Sequence, residues 1–511
     1  MASGLRLAVR TSGHSPTQRL PRSVALQGGE DEFRSDRTAV LVAQDEPGEN
    51  ALQEEIGRTH AKSVAAARLF WRDPHLSTAQ KGLIATLALG VFLGAADLSL
   101  LAPGLQPIAA ALHLPTALAT WLVTLYGIVY GAALPVLGVL GDRHGRRKLF
   151  AAGGVLFAAG SILAGVSSGA LSLLVGRGLQ AVGAAALMPL ASAEIGQAFP
   201  ADRRGAMLGV LGGVYGIAAI VAPPIGGLIV ASLGWHWLFL ATAPIGLGVA
   251  VLAVLYVSEG THAVPGPADV QGASLTALLA AAVLLGFEML KRGALPLGWA
   301  SLVFGVLLLP NLILWERSAA VPIFQGGGRL VPAYLLGGLS AAATAVALFV
   351  PLYAMRLLHL GEAASGTALL PMAVASAATA YYGGRLADRL GPRALLSAGF
   401  VLMAAGSLIM ARSDGLVGMV GGLLLLGGGV GLTMGSPLQY LVLGFAPKAQ
   451  ASSAQALLGT FRALGVAIGS AVYGSVLPRF GSLYMIAAVI GLLGLAGTIW
   501  LWGMRLRPEP V

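Results

Sequence analysis

The chain is 511 residues long, 56% hydrophobic and only 11% charged, with a mean hydropathy of +0.79. Soluble domains carry about a quarter charged residues, so this composition excludes a soluble protein and points to a helical membrane protein of many spans. The net charge of +10 does not mark a nucleic-acid binder, because the cations fall between apolar tracts, and the lack of cysteine excludes disulfides, thiolate catalysis and Cys-ligated metal.

Residues 1–75 differ from the rest and hold ten of the 22 acidic residues. Residues 1–48, with scattered Gly, Ser and Pro, read as disordered. From Asn50 to Arg72 the pattern fits either an amphipathic helix, whose Leu69–Phe70–Trp71 end suits a membrane interface, or a solvated linker. No hydrophobic tract precedes residue 80, so no cleavable signal peptide is expected.

Fourteen apolar spans follow, each long enough to cross a hydrocarbon core about 30 Å thick. They are read at 82–104, 117–140, 149–167, 171–193, 206–231, 237–257, 272–290, 298–316, 332–355, 364–384, 394–411, 415–444, 452–476 and 482–503. With the amino terminus cytoplasmic, fourteen cations beyond residue 81 fall on the cytoplasmic side and five on the other. Cations are retained on the cytoplasmic side during insertion, so both termini are expected there.

The second and third spans are joined by Gly138–Lys148, G-V-L-G-D-R-H-G-R-R-K, read as a short loop. A degenerate copy, G-R-L-A-D-R-L-G-P-R, runs from Gly384 to Arg393, and its Asp388 follows Asp142 by 246 positions. Pro437 follows Pro189 by 248 and Pro447 follows Pro200 by 247. The repeat predicts two six-helix halves, residues 76–257 and 326–511, linked by two additional spans in 258–325. Asp142 stands at a helix end, where it can meet a helix N-terminus or an arginine across the loop. Gly138, Asp142, Arg143, Gly145, Arg146 and Arg147, with Asp388 and Arg389 in the copy, are therefore candidates for controlling conformational change.

Asp97 is the only acid deep inside a span. A carboxylate in hydrocarbon costs a few kcal/mol on insertion scales and so faces a cavity or a partner, which makes it a candidate proton carrier; a static ion pair is the plainer alternative. Arg177, in the fourth span, sits at about the same depth and is its natural partner. An arginine does not give up its proton, so its role would be to tune Asp97 or to bind an anion. With an offset of 248, Leu425 stands near its place in the second half. Arg462, midway along the thirteenth span, would bind substrate or act as counter-ion to Glu288 or to backbone carbonyls. In the fifth span, Pro223 bends the helix while Gly226 and Gly227 permit close packing. Tyr126, Tyr130, Phe349 and Tyr353 are candidate aromatic substrate contacts, with helix packing the competing explanation for each. No metal-ligand spacing, nucleophile triad or phosphate loop stands out, so neither an enzyme nor an ATPase is expected.

G-x-L-x-D-R-x-G-R-R between spans two and three, with its degenerate copy, resembles the loop signature of the major facilitator superfamily. Leu174–Ala185 is similar to its fourth-span motif, with Ala181 where glycine is usual. A-P-P-I-G-G-L at Ala222–Leu228 resembles the fifth-span motif associated with exporters, although Ala218 and Ala222 replace two of its glycines. Asp97–Ile108 with Trp121–Tyr126, and Trp235–Gly246, resemble motifs of the fourteen-span drug:proton antiporter branch; Ala102, Gln106, His236 and Thr242 depart from them. The resemblance implies an all-α polytopic fold of two six-helix bundles plus two linker helices. It implies a proton-coupled secondary exporter of amphipathic or cationic toxic compounds, working by alternating access. An uptake or lipid carrier on the same scaffold, or a non-transporting membrane sensor, are the alternatives. The expected partners are a small-molecule substrate, protons and the lipid bilayer, with no cofactor and no nucleic acid. A monomer in a bacterial inner membrane is the expected setting.

Overall fold

A computed structural model describes residues 76–259, 269–324, 330–359, 361, 365, 367–413, 415–477 and 479–503. The N-terminal segments read at 1–48 and 50–72 lie outside the described residues. The chain forms helices α1 (Thr78–Ala111), α2 (Trp121–His144), α3 (Arg146–Gly165), α4 (Ala170–Ala198), α5 (Ala201–Leu233), α6 (His236–Tyr256) and α7 (Val270–Lys291). It continues through α8 (Leu295–Ser318), α9 (Leu330–Leu357), α10 (Leu370–Leu390), α11 (Pro392–Arg412), α12 (Leu416–Phe445), α13 (Lys448–Ser475) and α14 (Phe480–Gly503). Among the described residues, thirteen of these are long and apolar enough to cross a membrane. The exception, α10, is less apolar because Tyr381, Tyr382, Arg385, Asp388 and Arg389 all lie on it.

Local chemistry sets the helix ends. α1 opens with a capping box in which Gln80 N–H donates to Ser77 Oγ (3.2 Å) and Ser77 N–H to Gln80 Oε1 (3.0 Å). The segment read as a loop after the second span is helix almost throughout. Gly138, Asp142 and Arg143 belong to α2, Arg146 and Arg147 to α3, and only Gly145 interrupts them. Gly145 has φ +93°, a left-handed conformation that glycine adopts without strain. Gly391, 246 positions later, makes the same break between α10 and α11 with φ +81°. The helix before it therefore runs to Leu390, past the expected end at 384, because a helix continues into charged sequence until a residue breaks it.

The same offset governs packing. α3 meets α4 through Gly153, Gly160, Gly176 and Gly183, and α11 meets α12 through Gly399, Gly406, Gly422 and Gly429. Each set lets two backbones touch, the usual route to tight helix pairing in lipid. A Cβ on Gly160 would lie 2.6 Å from the carbonyl oxygen of Gly176, and one on Gly406 2.6 Å from that of Gly422. This register moves the equivalent of Arg177 from Leu425 to Leu423.

Two pseudo-equivalent helix pairs join the halves, α2 with α13 and α5 with α10. The additional helices α7 and α8 pack as a pair, with α7 against α2 and α13. Closest approach across the halves occurs where α5 crosses α10. A Cβ on Gly384 would stand 2.7 Å from the Gly209 Cα and would collide with the Gly205 carbonyl. Gly384→Val is therefore expected to push the halves apart at this end. Ser192, only 1% exposed and facing Gln439 across the halves, reports the change. A cysteine placed there in the otherwise cysteine-free chain should react at least several-fold faster with a water-soluble maleimide in the Gly384→Val background.

Candidate functional site

The intramembrane acid and base meet. Arg177 Nη1 donates to Asp97 Oδ2 at 2.7 Å, with Arg177 fully buried and Asp97 4% exposed. Helix geometry places them: α1 and α4 pack in one half, with Arg177 seven residues into α4 and Asp97 fourteen residues before the end of α1. The guanidinium is further fixed by Nη1 to Gln180 Oε1 (2.9 Å) and Nε to the Leu122 carbonyl (3.2 Å). Gln180 in turn donates to Ser161 Oγ (2.8 Å), which contacts Thr242 Oγ1 at 3.1 Å. The ring of Tyr126 covers the guanidinium at 4.4 Å and Phe239 lies at 5.9 Å, both within cation–π range. Such an enclosed pair is held by geometry and cannot trade its bonds for water, so removing either charge leaves the other stranded.

The repeat lacks this polar chain. Leu423 and Leu426 stand where Arg177 and Gln180 would be, and Ser407, the counterpart of Ser161, is buried with its hydroxyl unpartnered. The charged pair is an addition to one half and not part of the shared scaffold.

At the end bearing the basic sequence, carboxylates hold the halves together. Asp142 accepts from the backbone N–H of Ser452 (2.9 Å) and Ser453 (2.8 Å) at the start of α13, and from Ser453 Oγ (2.7 Å). Asp388 accepts from the N–H of Gly205 and Ala206 near the start of α5, both at 2.9 Å. The helix N-terminal field favours each carboxylate. Arg146 braces the first site: Nε donates to Ser452 Oγ (2.9 Å), while Asp142 and Glu194 each lie 3.6 Å from its other nitrogens. Gly138 permits this approach, since a Cβ there would lie 2.9 Å from the Ser453 Cα. Arg147 pairs with Glu259 at 3.2 Å, and Arg143 and Arg389 are exposed. In α5, a Cβ on Gly226 would meet Pro103 at 3.1 Å, so Pro223 and Gly226 shape contact with α1 in the same half; Gly227 faces open space.

The aromatic candidates divide. Tyr126 and Tyr130 stack (6.2 Å, 7° between planes) on α2. Tyr353 and Phe349 lie apart from these two, packed against helices of the second half. Tyr353 donates to the Ser413 carbonyl (2.5 Å) and packs edge-on against Phe480 and Tyr484, each at 5.6 Å. Phe349 packs edge-on against Tyr473 at 6.3 Å. Glu288 is not the counter-ion of Arg462: it binds Lys291 (2.5 Å) and Arg292 (2.8 Å) on its own helix and accepts from Thr124 (3.2 Å). Arg462 instead shares the middle of the molecule with Tyr130 and Tyr215, close enough for all three to interact electrostatically. Tyr215 is half exposed although midway along α5. Tyr126, Tyr130 and Arg462, on two other helices, are close enough to interact with it electrostatically, so its exposed side borders the space between these helices, the central cleft. Nothing in the local sequence singles out Tyr215, because its face on α5 depends on the tertiary arrangement.

The family model of the Major Facilitator Superfamily matches residues 87–470 and 330–511. The chain belongs to this superfamily. It is a multi-pass membrane transporter and not an enzyme. YfiU of Bacillus subtilis (strain 168), an uncharacterised transporter of this superfamily, is 29% identical over 414 residues, covering 77% of this chain and 79% of the relative. The multidrug transporter protein MdtP of the same strain is 29% identical over 338 residues, covering 63% of this chain and 61% of its own length. The chain thus spans about three fifths of MdtP. The crystal structure of the human organic anion transporter MFSD10 superposes with a TM-score of 0.65 at 15% identity, covering 83% of this chain and 100% of that one. At that identity the likeness is one of fold alone.

In this superfamily member the buried pair makes a sharp stability prediction. Arg177→Leu leaves Asp97 unpaired in the interior, a change expected to cost about 3–5 kcal/mol while the carboxylate is charged. Proton uptake by Asp97 relieves that cost, so the variant should melt at progressively lower temperature as pH rises, relative to the parent chain. Adding Asp97→Asn should remove both the loss and its pH dependence. Thermal unfolding of the single and double variants across pH checks this.

Proposed function

We propose that this protein is a proton-coupled exporter of amphipathic toxic compounds, working by alternating access in a bacterial cell membrane with the basic end cytoplasmic. The Asp97–Arg177 pair carries the reading. It is the one acid–base pair enclosed deep in a half among the described residues, it is absent from the repeat, and Tyr126 links it to the central cleft. The similarity to MdtP and to the drug:proton antiporter motifs supports export, and the marked excess of cations at one end supports its assignment to the cytoplasm.

With Asp97 charged, Arg177 is held against it beneath the ring of Tyr126. A proton arriving on Asp97 removes the coulombic attraction while the guanidinium keeps Gln180 and the Leu122 carbonyl as acceptors. The released interaction energy alters how α1, α2 and α4 pack around the cleft, and thereby the balance between the two access states. The protein works as a monomer, with the proton gradient as energy source and without a resident cofactor.

Asp97→Asn removes the titrating group at nearly constant volume. In proteoliposomes holding the full chain, substrate movement driven by an imposed pH gradient should fall to background, while substrate–substrate exchange without a gradient continues. Full coupling in the Asn variant would exclude Asp97 as the proton site. Movement of substrate with the proton, in the same direction, would replace export by uptake.

A further inference from the structure

The cleft's fixed charge is positive, against the expectation of a cationic substrate. Among the described residues, the charges deep in the helices largely cancel. Arg177 neutralises Asp97, Arg146 lies between Asp142 and Glu194, and Glu288 is more than matched by Lys291 and Arg292. Arg462 is not cancelled. It lies midway along α13, close enough to Tyr130 of α2 and Tyr215 of α5 to interact electrostatically with both across the boundary between the halves. Its Nε and Nη2 atoms are buried and find no acceptor. Those two nitrogens form the edge of the guanidinium that a carboxylate engages side-on through parallel hydrogen bonds. Buried donors are almost always paired, and no carboxylate of the described chain reaches these.

We propose that the midplane of the cleft is an anion subsite, in which Arg462 binds the carboxylate of an amphipathic organic acid while Tyr130 and Tyr215 contribute hydroxyls and ring faces. This deepens the transport reading above and rests on it for the cleft being the substrate path.

The surroundings fit that chemistry. Tyr130, partly exposed and stacked on the buried Tyr126, offers a ring face for an aromatic body. Toward the end remote from Gly145, Lys291 reaches Ser470 of α13 at 3.5 Å. Ser470 is two helical turns from Arg462, roughly 12 Å along the axis at 1.5 Å per residue. Two cationic positions thus flank the α13 wall, and cleft walls of one sign focus the field on a ligand of the other. A cationic amphiphile would find no free carboxylate there to balance it. Access to Arg462 also depends on the halves, since α2 lies against α13 at this level: Thr460 Oγ1 approaches the Gly131 carbonyl at 3.5 Å. A ligand bridging Arg462 to Tyr130 and Tyr215 would therefore contact both halves at once, which is what a substrate must do to bias their relative arrangement.

Three naphthalene probes of matched size separate the possibilities: radiolabelled 2-naphthoate, 2-naphthamide and 2-naphthylmethylammonium. Binding is measured by equilibrium dialysis against the full chain in nanodiscs, with empty nanodiscs subtracted and equal pH throughout. Because no gradient is applied, the outcome does not depend on whether Asp97 couples transport to protons. The naphthoate should bind at least tenfold more tightly than the amide, and the ammonium more weakly than both. Arg462→Gln should lower naphthoate affinity about 10- to 100-fold, the range of a lost charge-assisted pair, and leave the amide within about threefold. Arg462→Lys, which keeps the charge but not the fork, should retain a preference for naphthoate at reduced affinity and shows that loss in the Gln variant is not misfolding. Failure of naphthoate to bind, no preference over the amide, or unchanged affinity in Arg462→Gln would each overturn the anion subsite.

Discussion

Two carboxylates, each seated on consecutive backbone N–H groups of a helix from the opposite half, set the state in which this transporter is seen. Asp142 on α2 holds α13, and Asp388 on α10 holds α5. The two contacts are related by the internal repeat, and further hydrogen bonds cross between the halves at the same end. Gln197 reaches the Lys448 carbonyl (3.0 Å) and Tyr440 the Ala201 carbonyl (3.1 Å). Capping interactions contribute about 0.5–2 kcal/mol each. That is enough to favour closure and small enough to be undone by a ligand with a modest preference for the other state. Glycines on the helix faces are what let the carboxylates approach: a side chain on Gly138 or Gly205 would occupy the same space as its partner.

The membrane interior carries two kinds of charge, and their environments assign them different work. Asp97 and Arg177 are paired with one another inside one half, the guanidinium also donating to Gln180 and Leu122 and lying under Tyr126, so what can change there is protonation. Arg462 has donors without acceptors and borders the cleft, so what can change there is occupancy. The first lies wholly within one half and the second faces the boundary between halves. A substrate and a proton would thus act on the same conformational balance from separate places, Tyr126 and Tyr130 being the stacked pair between them.

Much of this was legible in the chain itself. The spans follow from hydropathy, and the repeat from the spacing of Asp142 and Asp388. Matching depth alone pointed Arg177 at Asp97. Other features were hidden for physical reasons. The partner of Asp142 is 310 residues away in sequence, and nothing local in Ser452 announces it. Glu288 was offered to Arg462, but Lys291 and Arg292, one turn along the same helix, claim it first. Helical periodicity cannot say whether Tyr353 or Phe349 faces the cleft or a neighbouring helix; both face neighbours. The prolines suggested an offset of 248 in α4, whereas four glycine pairs fix it at 246, because backbone contact tolerates no slip while a proline kink does.

The paired carboxylate-to-helix contacts hold the basic end shut. Because the chain has no cysteine, spin labels can be placed on exposed positions 143 and 389, one at each helix end beside Asp142 and Asp388, and the distance between them measured by pulsed electron resonance. The parent chain should give one narrow, short distribution. The Asp142→Ala, Asp388→Ala double variant should add a distinct longer component that grows to the larger share. An unchanged distribution in the double variant would contradict the account.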